Sequence, residues 1–427
     1  MPSRLLSTVP SRWGEIMRIV VQKFGGTSVA DRETRRHAVE RVISALEMGY
    51  TPVVVVSAMG KAGQPYATDT LLEMVHSVNP GPNPRNTDLL LSCGEIISAV
   101  IFAEELSAAG HPAEALTGWQ CGILTDQDFS HARIQEVNPK RVLALLEQGK
   151  IPVVAGFQGM SAQQEVTTLG RGGSDTTAAA LGVVLKAEWV GIYTDVDGIK
   201  TADPRLVPDA RTLPAVSGRE VVELAHLGAR VIHPRAAEIA LEEGIPLRIL
   251  STTEDGIGTW IANGVSAVTG RGGEQVGDRV VVGIAHVTDR AQVTITGEGD
   301  LSRTQAAPRV FGMLAEHGVS VDLIFLSTDL IAFTIDRVKA ELARRVLTTL
   351  GLHVKIEEGF AKVSVVGAGM HGVPGVMARV VNCLERENIP IYQTTDSHAN
   401  ISCLIKEEQL AQAVRALHRE FNLDRNV

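Results

Sequence analysis

Met17-Arg18-Ile19-Val20-Val21-Gln22-Lys23-Phe24-Gly25-Gly26-Thr27-Ser28 joins an apolar, β-branched run to a cation and then to two glycines. The run reads as a strand that ends in Lys23, and the glycines read as the turn that leaves it. Two residues without Cβ let the backbone bend sharply and bring N–H groups against an anion, while Lys23 offers positive charge on a strand-fixed stem. Taken by itself, the segment fits a phosphate site and fits equally a tight turn with a solvated lysine.

The same alternation continues outward. Residues 19–21, 53–56, 153–155, 190–193 and 247–250 read as Val- and Ile-rich strands, and residues 35–47, 88–106, the Ala-rich stretch after Asp175 and 220–227 read as helices. Continuous apolar strands separated by helices predict an α/β fold with a mainly parallel sheet covered on both faces. Ligands in such sheets sit beyond the carboxyl ends of the strands, where the Gly-rich segments after Lys23, Ser57 and Val154 fall. A chain of 427 residues with 44% hydrophobic content has material for two or three domains. Its formal net charge is −9 with no Lys/Arg stripe, which argues against nucleic acid and anionic membrane as partners. Cys93, Cys121, Cys383 and Cys403 lack C-x-x-C spacing and read as reduced, buried thiols of a cytoplasmic protein, with no metal site. Residues 1–16 hold no signal peptide; they read as a disordered leader, or as a start-site artefact with Met17 as the initiator.

Residues 263–280 are polar and Gly-rich and read as a linker between domains; their Gly270-Arg271-Gly272-Gly273 follows no strand and receives no function. Beyond it lies an internal repeat. Ala291-Gln-Val-Thr-Ile-Thr-Gly-Glu-Gly-Asp300 aligns without a gap to Ala361-Lys-Val-Ser-Val-Val-Gly-Ala-Gly-Met370 at an offset of 361 − 291 = 70 residues. Each copy, 281–352 and 353–427, reads strand, Gly-rich turn, helix, strand, strand, helix, the order of a ferredoxin-like module. Gly367-Ala-Gly369-Met-His-Gly372 formally satisfies a dinucleotide fingerprint, but too little chain follows it for a dinucleotide-binding half, and the sister copy has Ser302 at the third position.

Two further blocks carry candidate chemistry. Thr167-Thr168-Leu169-Gly170-Arg171-Gly172-Gly173-Ser174-Asp175 runs into a helix. Glycines at a helix start suit an anion, Arg171 can hold a carboxylate with two parallel bonds, and Asp175 can orient Lys23. A capped helix with a flexible loop would explain Ser174 or Asp175, but not an arginine embedded among three glycines. Tyr193-Thr194-Asp195-Val-Asp197-Gly198-Ile-Lys200-Thr-Ala-Asp203-Pro204-Arg205 could clasp a nucleotide or form an Asx-rich turn.

Together with SAMG at Ser57, LLSCGE ending in Glu95, VAGFQG around Phe157 and GARVIHPRA around Arg230, these blocks stand in an order that resembles the aspartokinase family over nearly the whole chain from Met17. The resemblance implies an amino-acid-kinase catalytic domain at 17–262 followed by two ACT domains. It implies transfer of the γ-phosphoryl group of ATP, carrying Mg²⁺, to the β-carboxylate of L-aspartate, the first step toward diaminopimelate, lysine, threonine, methionine and isoleucine. By the same resemblance Lys23, held by Asp175, neutralises the transferring phosphoryl group. Glu95 takes the substrate ammonium and Arg171 its α-carboxylate, with Thr68, Phe157, Thr168, Gly172, Gly173 and Ser174 lining the pocket. ATP lies along Lys23, Phe24, Gly25, Gly26, Ser57, Thr194, Asp195, Lys200, Asp203, Arg205, Arg230 and Val231. A carboxylate nucleophile is already ionised at neutral pH, so positioning and charge neutralisation suffice.

Arg230 stands where many relatives have lysine. The effector regions depart further, with Gly299-Asp-Leu-Ser-Arg-Thr-Gln305 in the first copy and Gln393-Thr-Thr-Asp396-Ser397-His398-Ala-Asn400 in the second. The second run and the Lys61-Ala-Gly-Gln-Pro-Tyr66 insertion resemble the diaminopimelate-sensitive subgroup. They imply meso-diaminopimelate as effector at Asp396, Ser397 and His398, with lysine as runner-up, and a homo-oligomer. Another acid kinase of the superfamily, or a non-catalytic amino-acid sensor, are the alternative readings.

Overall fold

The computed structural model describes residues 17–228, 232–262, 280–296, 303–370 and 372–425. Residues 1–16, nearly all of the 263–280 linker, Arg230, Val231 and the 297–302 turn of the first repeat copy therefore lie outside the described residues. The chain divides into two compact units.

In the first unit, β1 (Ile19–Phe24) leads through a short turn into α1 (Arg32–Glu47). Asp31 starts this helix: its side chain accepts the Thr34 N–H while the Thr34 hydroxyl closes back on the cap. Ala38, Val39, Val42 and Ala45 form the buried face. β2 (Thr51–Val56), α2 (Thr68–Val78) and the long α3 (Pro84–Ala108) follow, the last capped by Asn83 with proline in its first turn. Next come β3 (Ala113–Leu116), β4 (Ile123–Thr125), β5 (Ile134–Val137), α4 (Lys140–Glu147), β6 (Ile151–Ala155), β7 (Gln158–Ser161) and β8 (Val166–Thr168). α5 (Gly173–Val184), β9 (Trp189–Thr194), β10 (Ala215–Ser217), α6 (Gly218–His226), α7 (Pro234–Glu242), β11 (Leu247–Ser251) and β12 (Thr259–Ala262) complete the series.

Among the described residues these strands build an eight-stranded sheet ordered β10-β12-β11-β9-β1-β2-β6-β3, in which only β11 and β12 run antiparallel. β1 is interior, so Phe24 is fully buried and stacks on Phe102 and Tyr193 at centroid distances of 5.4 and 4.7 Å. Burying one such ring contributes about 1.5–3 kcal/mol. The expected parallel α/β layer is present. The sequence reading did not anticipate a second sheet, β5-β4-β7-β8, whose strands are too short and too polar to show a period. Cys93 lies exposed on α3, contrary to the expectation that all four thiols are buried. No helix among the described residues is long and apolar enough to cross a membrane.

The second unit holds both repeat copies in one sheet. β13 (Gly283–Thr296), α8 (Arg303–Glu316), β14 (Asp322–Leu326), β15 (Leu330–Asp336), α9 (Ala340–Thr348) and β16 (His353–Val366) precede α10 (Val376–Arg386), β17 (Gln393–Asp396), β18 (Asn400–Lys406) and α11 (Leu410–Glu420). The order is β14-β15-β13-β16-β18-β17. β13 and β16 are long and break register together at 287–292. Residues 290–296 and 353–357 thus complete the first ferredoxin-like half, whereas 283–287 and 360–366 belong to the second. This departs from the contiguous copies 281–352 and 353–427: each half borrows an edge strand from the other copy's segment. A repeat alignment sees local similarity and cannot see which strand pairs with which.

A second departure concerns the 17–262 boundary. Lys200–Arg211 belongs to the second unit, where Ala202, Val207 and Ala210 enter the core formed by Val363, Val365, Val414 and Leu417. There the Thr201 carbonyl accepts the Ile284 N–H at 2.8 Å, and the Thr201 hydroxyl lies 2.9 Å from His418 Nε2. Gly367, the first glycine of the formal dinucleotide fingerprint, is required by packing: a Cβ there would lie 2.2 Å from the Val280 carbonyl oxygen.

Because Ile284 is buried in the second half's core, Ile284→Ala should cost about 2–5 kcal/mol. Hydrogen exchange should show β17 and β18 losing more protection than β15; the reverse order would restore the contiguous boundaries.

Candidate functional site

Parallel strands end side by side, so the residues that leave β1, β2 and β9 face one another. The Ser57 N–H donates to the Phe24 carbonyl at 3.0 Å, and the Gly60 N–H donates to Gly26 at 2.9 Å. A Cβ on Gly26 would lie 2.7 Å from the Gly60 oxygen and 2.8 Å from that of Ala58. Gly26 is therefore required by the contact of two backbones. The Gly25 N–H is directed at the Tyr193 carbonyl, 3.4 Å away, while a Cβ on Gly25 would approach Lys23 Nζ at 3.6 Å. The sequence reading aimed both glycines at an anion; the structure adds these internal demands.

Lys23 Nζ lies 2.7 Å from Asp175 Oδ1, each side chain only 12% exposed. The other carboxylate oxygen accepts the His233 N–H at 3.3 Å. Asp175 is in the first turn of α5, where a carboxylate meets the positive end of the helix. The preceding Gly172 is left-handed at φ 73°, and a Cβ there would strike the His233 ring at 2.2 Å. Lys23, Asp175, Gly172, Gly173 and Ser174 are thus brought together. His233, within the quoted GARVIHPRA block but unassigned, joins them.

Glu95 is 2% exposed in the middle of α3. Burial pushes its carboxyl up to about 8, against a partial lowering by the Ala58 N–H that it accepts at 3.2 Å; its second oxygen has no hydrogen-bond partner. Such an orphan costs free energy unless a donor arrives. Arg171 is exposed and, among the described residues, has no ion-pair or hydrogen-bond partner. Phe157 carries a positive φ of 68°, an uncommon backbone state for an aromatic residue, and its ring packs where a Cβ on Gly173 would fall. The Thr168 hydroxyl donates to Asp88, a partner that the sequence reading missed; the signal was a carboxylate two turns before Glu95 on the buried face of an otherwise apolar helix. Thr68 opens α2 half-buried.

The residues assigned to ATP are divided between the two units. Ser57 is half-buried and Thr194 donates to the exposed Asp195 at 3.2 Å, all in the first unit. Lys200, Asp203 and Arg205 fall in the second unit, where Arg205 grips Asp203 at 2.7 Å and holds that carboxyl below its ordinary range. Arg230 and Val231 lie outside the described residues. In the effector run, the Ser397 oxygen accepts the Ala399 and Asn400 N–H groups at 3.2 Å each, closing the β17–β18 hairpin. Asp396 is exposed at the strand end, and His398 is exposed in the turn.

Comparison with known proteins identifies the family of the chain. Residues 18–251 match the amino acid kinase family, and residues 355–419 match an ACT domain. The chain is 44% identical over 409 residues to aspartokinase 1 of Bacillus subtilis, covering 96% of this chain and all of that one. It is 39% identical to the aspartokinase of Corynebacterium glutamicum, at 95% and 97% coverage. The fold resembles Escherichia coli aspartokinase III solved with aspartate and ADP, with a TM-score of 0.74 and 28% identity over 94% of this chain and 99% of that one. Matched over nearly its whole length by such relatives and over 18–251 by the amino acid kinase family, the chain belongs to the aspartokinase family, the ATP-dependent kinases that phosphorylate aspartate.

Proposed function

We propose that phosphoryl transfer to the β-carboxylate of L-aspartate takes place at the ends of β1, β2 and β9, with Lys23 as the cation that stabilises the transferring group. The observation that carries this reading is the Lys23–Asp175 ion pair, a nearly buried charge fixed on an interior strand beside a glycine turn. ATP enters as its Mg²⁺ complex, a substrate, along Gly25, Gly26, Ser57, Thr194 and Asp195. Arg171 takes the α-carboxylate of aspartate, and the orphan oxygen of Glu95 takes the ammonium. Thr68, Phe157, Thr168 and Ser174 line the pocket. The two groups complement a zwitterion: Glu95 is buried and gives up its proton when the ammonium arrives, whereas Arg171 is exposed and has no partner of its own among the described residues. No general base is required for a nucleophile that is already ionised. Free thiols and an ATP substrate favour the cytoplasm.

Lys23→Ala and Asp175→Ala should each cut turnover by about a hundredfold or more, as loss of one charge stabiliser in a dry site does. The measurement is hydroxylamine trapping of the acyl phosphate formed from ATP, Mg²⁺ and L-aspartate, with L-glutamate as control and circular dichroism to check the fold. Near-parental turnover in either variant would remove the assigned roles.

The Glu95 carboxyl makes a second test through pH. Its value in the folded chain is raised from 4.5 to about 8, so between those limits the folded chain holds a proton that the unfolded chain has released. Its contribution to stability is complete below 4.5 and is lost as pH rises through about 8. The unliganded Glu95→Gln variant should therefore lose less melting temperature than the parent between about pH 6 and about pH 9. Equal slopes would show that Glu95 is ionised without a partner.

We further infer that meso-diaminopimelate, with lysine as the second choice, acts at the second ACT half and that the exposed Asp396 takes a ligand ammonium. Asp396→Ala should leave uninhibited activity within about twofold to threefold and weaken inhibition by diaminopimelate. Inhibition curves for diaminopimelate, lysine and threonine on both proteins check this; a parent that ignores diaminopimelate overturns the effector.

A further inference from the structure

Asp88 is fully buried on α3, although nothing in the chemistry described above uses it. Its carboxylate accepts four hydrogen bonds that all come from outside its own helix. One oxygen takes the backbone N–H groups of Ser130 at 2.9 Å and of Thr168 at 2.7 Å. The other takes their hydroxyls, at 3.2 and 2.9 Å. Two loops meet here. The 130–132 loop has Ser130 in a left-handed conformation at φ 70°, and its Ala132 N–H donates to the Thr168 carbonyl at 2.9 Å. The other loop leaves β8 at Thr168 and continues through Gly170, where a Cβ would lie 2.9 Å from the Ser130 oxygen, to Arg171. Seven residues separate Asp88 from Glu95, two helical turns, so both carboxylates point from one face of α3.

We infer that Asp88 is a positioning residue for the amino-acid substrate: it locks the helix that carries Glu95 to the loop that carries Arg171, and so sets the distance between the ammonium and α-carboxylate contacts. This rests on the pocket proposed above. A buried carboxylate that ends four hydrogen bonds from two loops leaves those loops little freedom, because losing it would leave the buried Thr168 donors unpaired and free the half-buried Ser130. Arg171 is exposed and has no partner of its own among the described residues, so its placement depends on how its loop is anchored. Lys23 and the glycine turn are held by other contacts, so the nucleotide side does not depend on Asp88.

The test is steady-state kinetics of the full chain. Asp88→Ala should lower kcat/KM for L-aspartate by about thirty- to a hundredfold, mainly through KM, with KM for ATP almost unchanged. Asp88→Asn should recover most of that loss, because its carbonyl oxygen can accept the two backbone N–H groups while its amide donates to the two hydroxyls. If Asp88→Ala melts too low to assay, Ser130→Ala decides: it removes one bond of the four and should raise the aspartate KM roughly two- to fivefold with the ATP KM unmoved. Equal rises in both KM values, or no rise in a folded variant, would overturn the inference and leave Asp88 a general support of the fold. Arg171→Lys and Glu95→Gln run alongside. If neither raises the aspartate KM, the proposed pocket fails; if both raise it and the Asp88 and Ser130 variants do not, only the positioning role fails.

Discussion

Lys23 and Asp175 carry opposite charges 2.7 Å apart where water barely reaches, and much of the first unit is arranged so that they can. β1 must lie between two parallel strands to bring Lys23 to the sheet's carboxyl edge without freedom to swing. α5 must start at that same edge, and its start demands the left-handed Gly172 beneath the His233 ring. Removing one partner would leave the other charge uncompensated where water barely reaches. The pair therefore constrains the fold as well as supplying a cation.

Around that pair the site is assembled from backbone contacts that tolerate no side chain. Gly26 lies against the carbonyls of Ala58 and Gly60, and a Cβ on Gly156 would lie 2.8 Å from the Ser174 side chain. These approaches bring the loops after β1, β2 and β6 within reach of the start of α5. The electrostatics are asymmetric. Glu95 is buried on α3 with its carboxyl raised by desolvation, while the cationic candidate, Arg171, is exposed.

The second unit shows how a repeat can be more than two modules in tandem. β13 and β16 run through both halves and change register together, with Asp289 in a left-handed conformation and gripped by Arg337 at the break. Neither half is complete without a segment of the other. Lys200–Arg211, part of a motif read from sequence as nucleotide-binding, is built into this unit through Ala202, Val207 and Ala210. The chain enters the regulatory core and leaves it again between β9 and β10.

What the sequence determined by itself was local. The apolar runs before Lys23, before Ser57 and before Thr194 specify interior strands because continuous β-branched residues can be buried on both faces. The glycines and Asp175 specify a turn into a helix, and the repeat at offset 70 specifies two similar units. Tertiary structure alone decided which residues become partners across long separations. Asp88 meets residues 42 and 80 positions away, strands 283–287 and 353–357 pair into the half opposite to the one their position in the chain suggests, and Cys93 faces solvent from an apolar helix. Periodicity records which face of an element is buried but not what covers it, because that choice is made by the packing of distant segments whose contacts leave no local pattern.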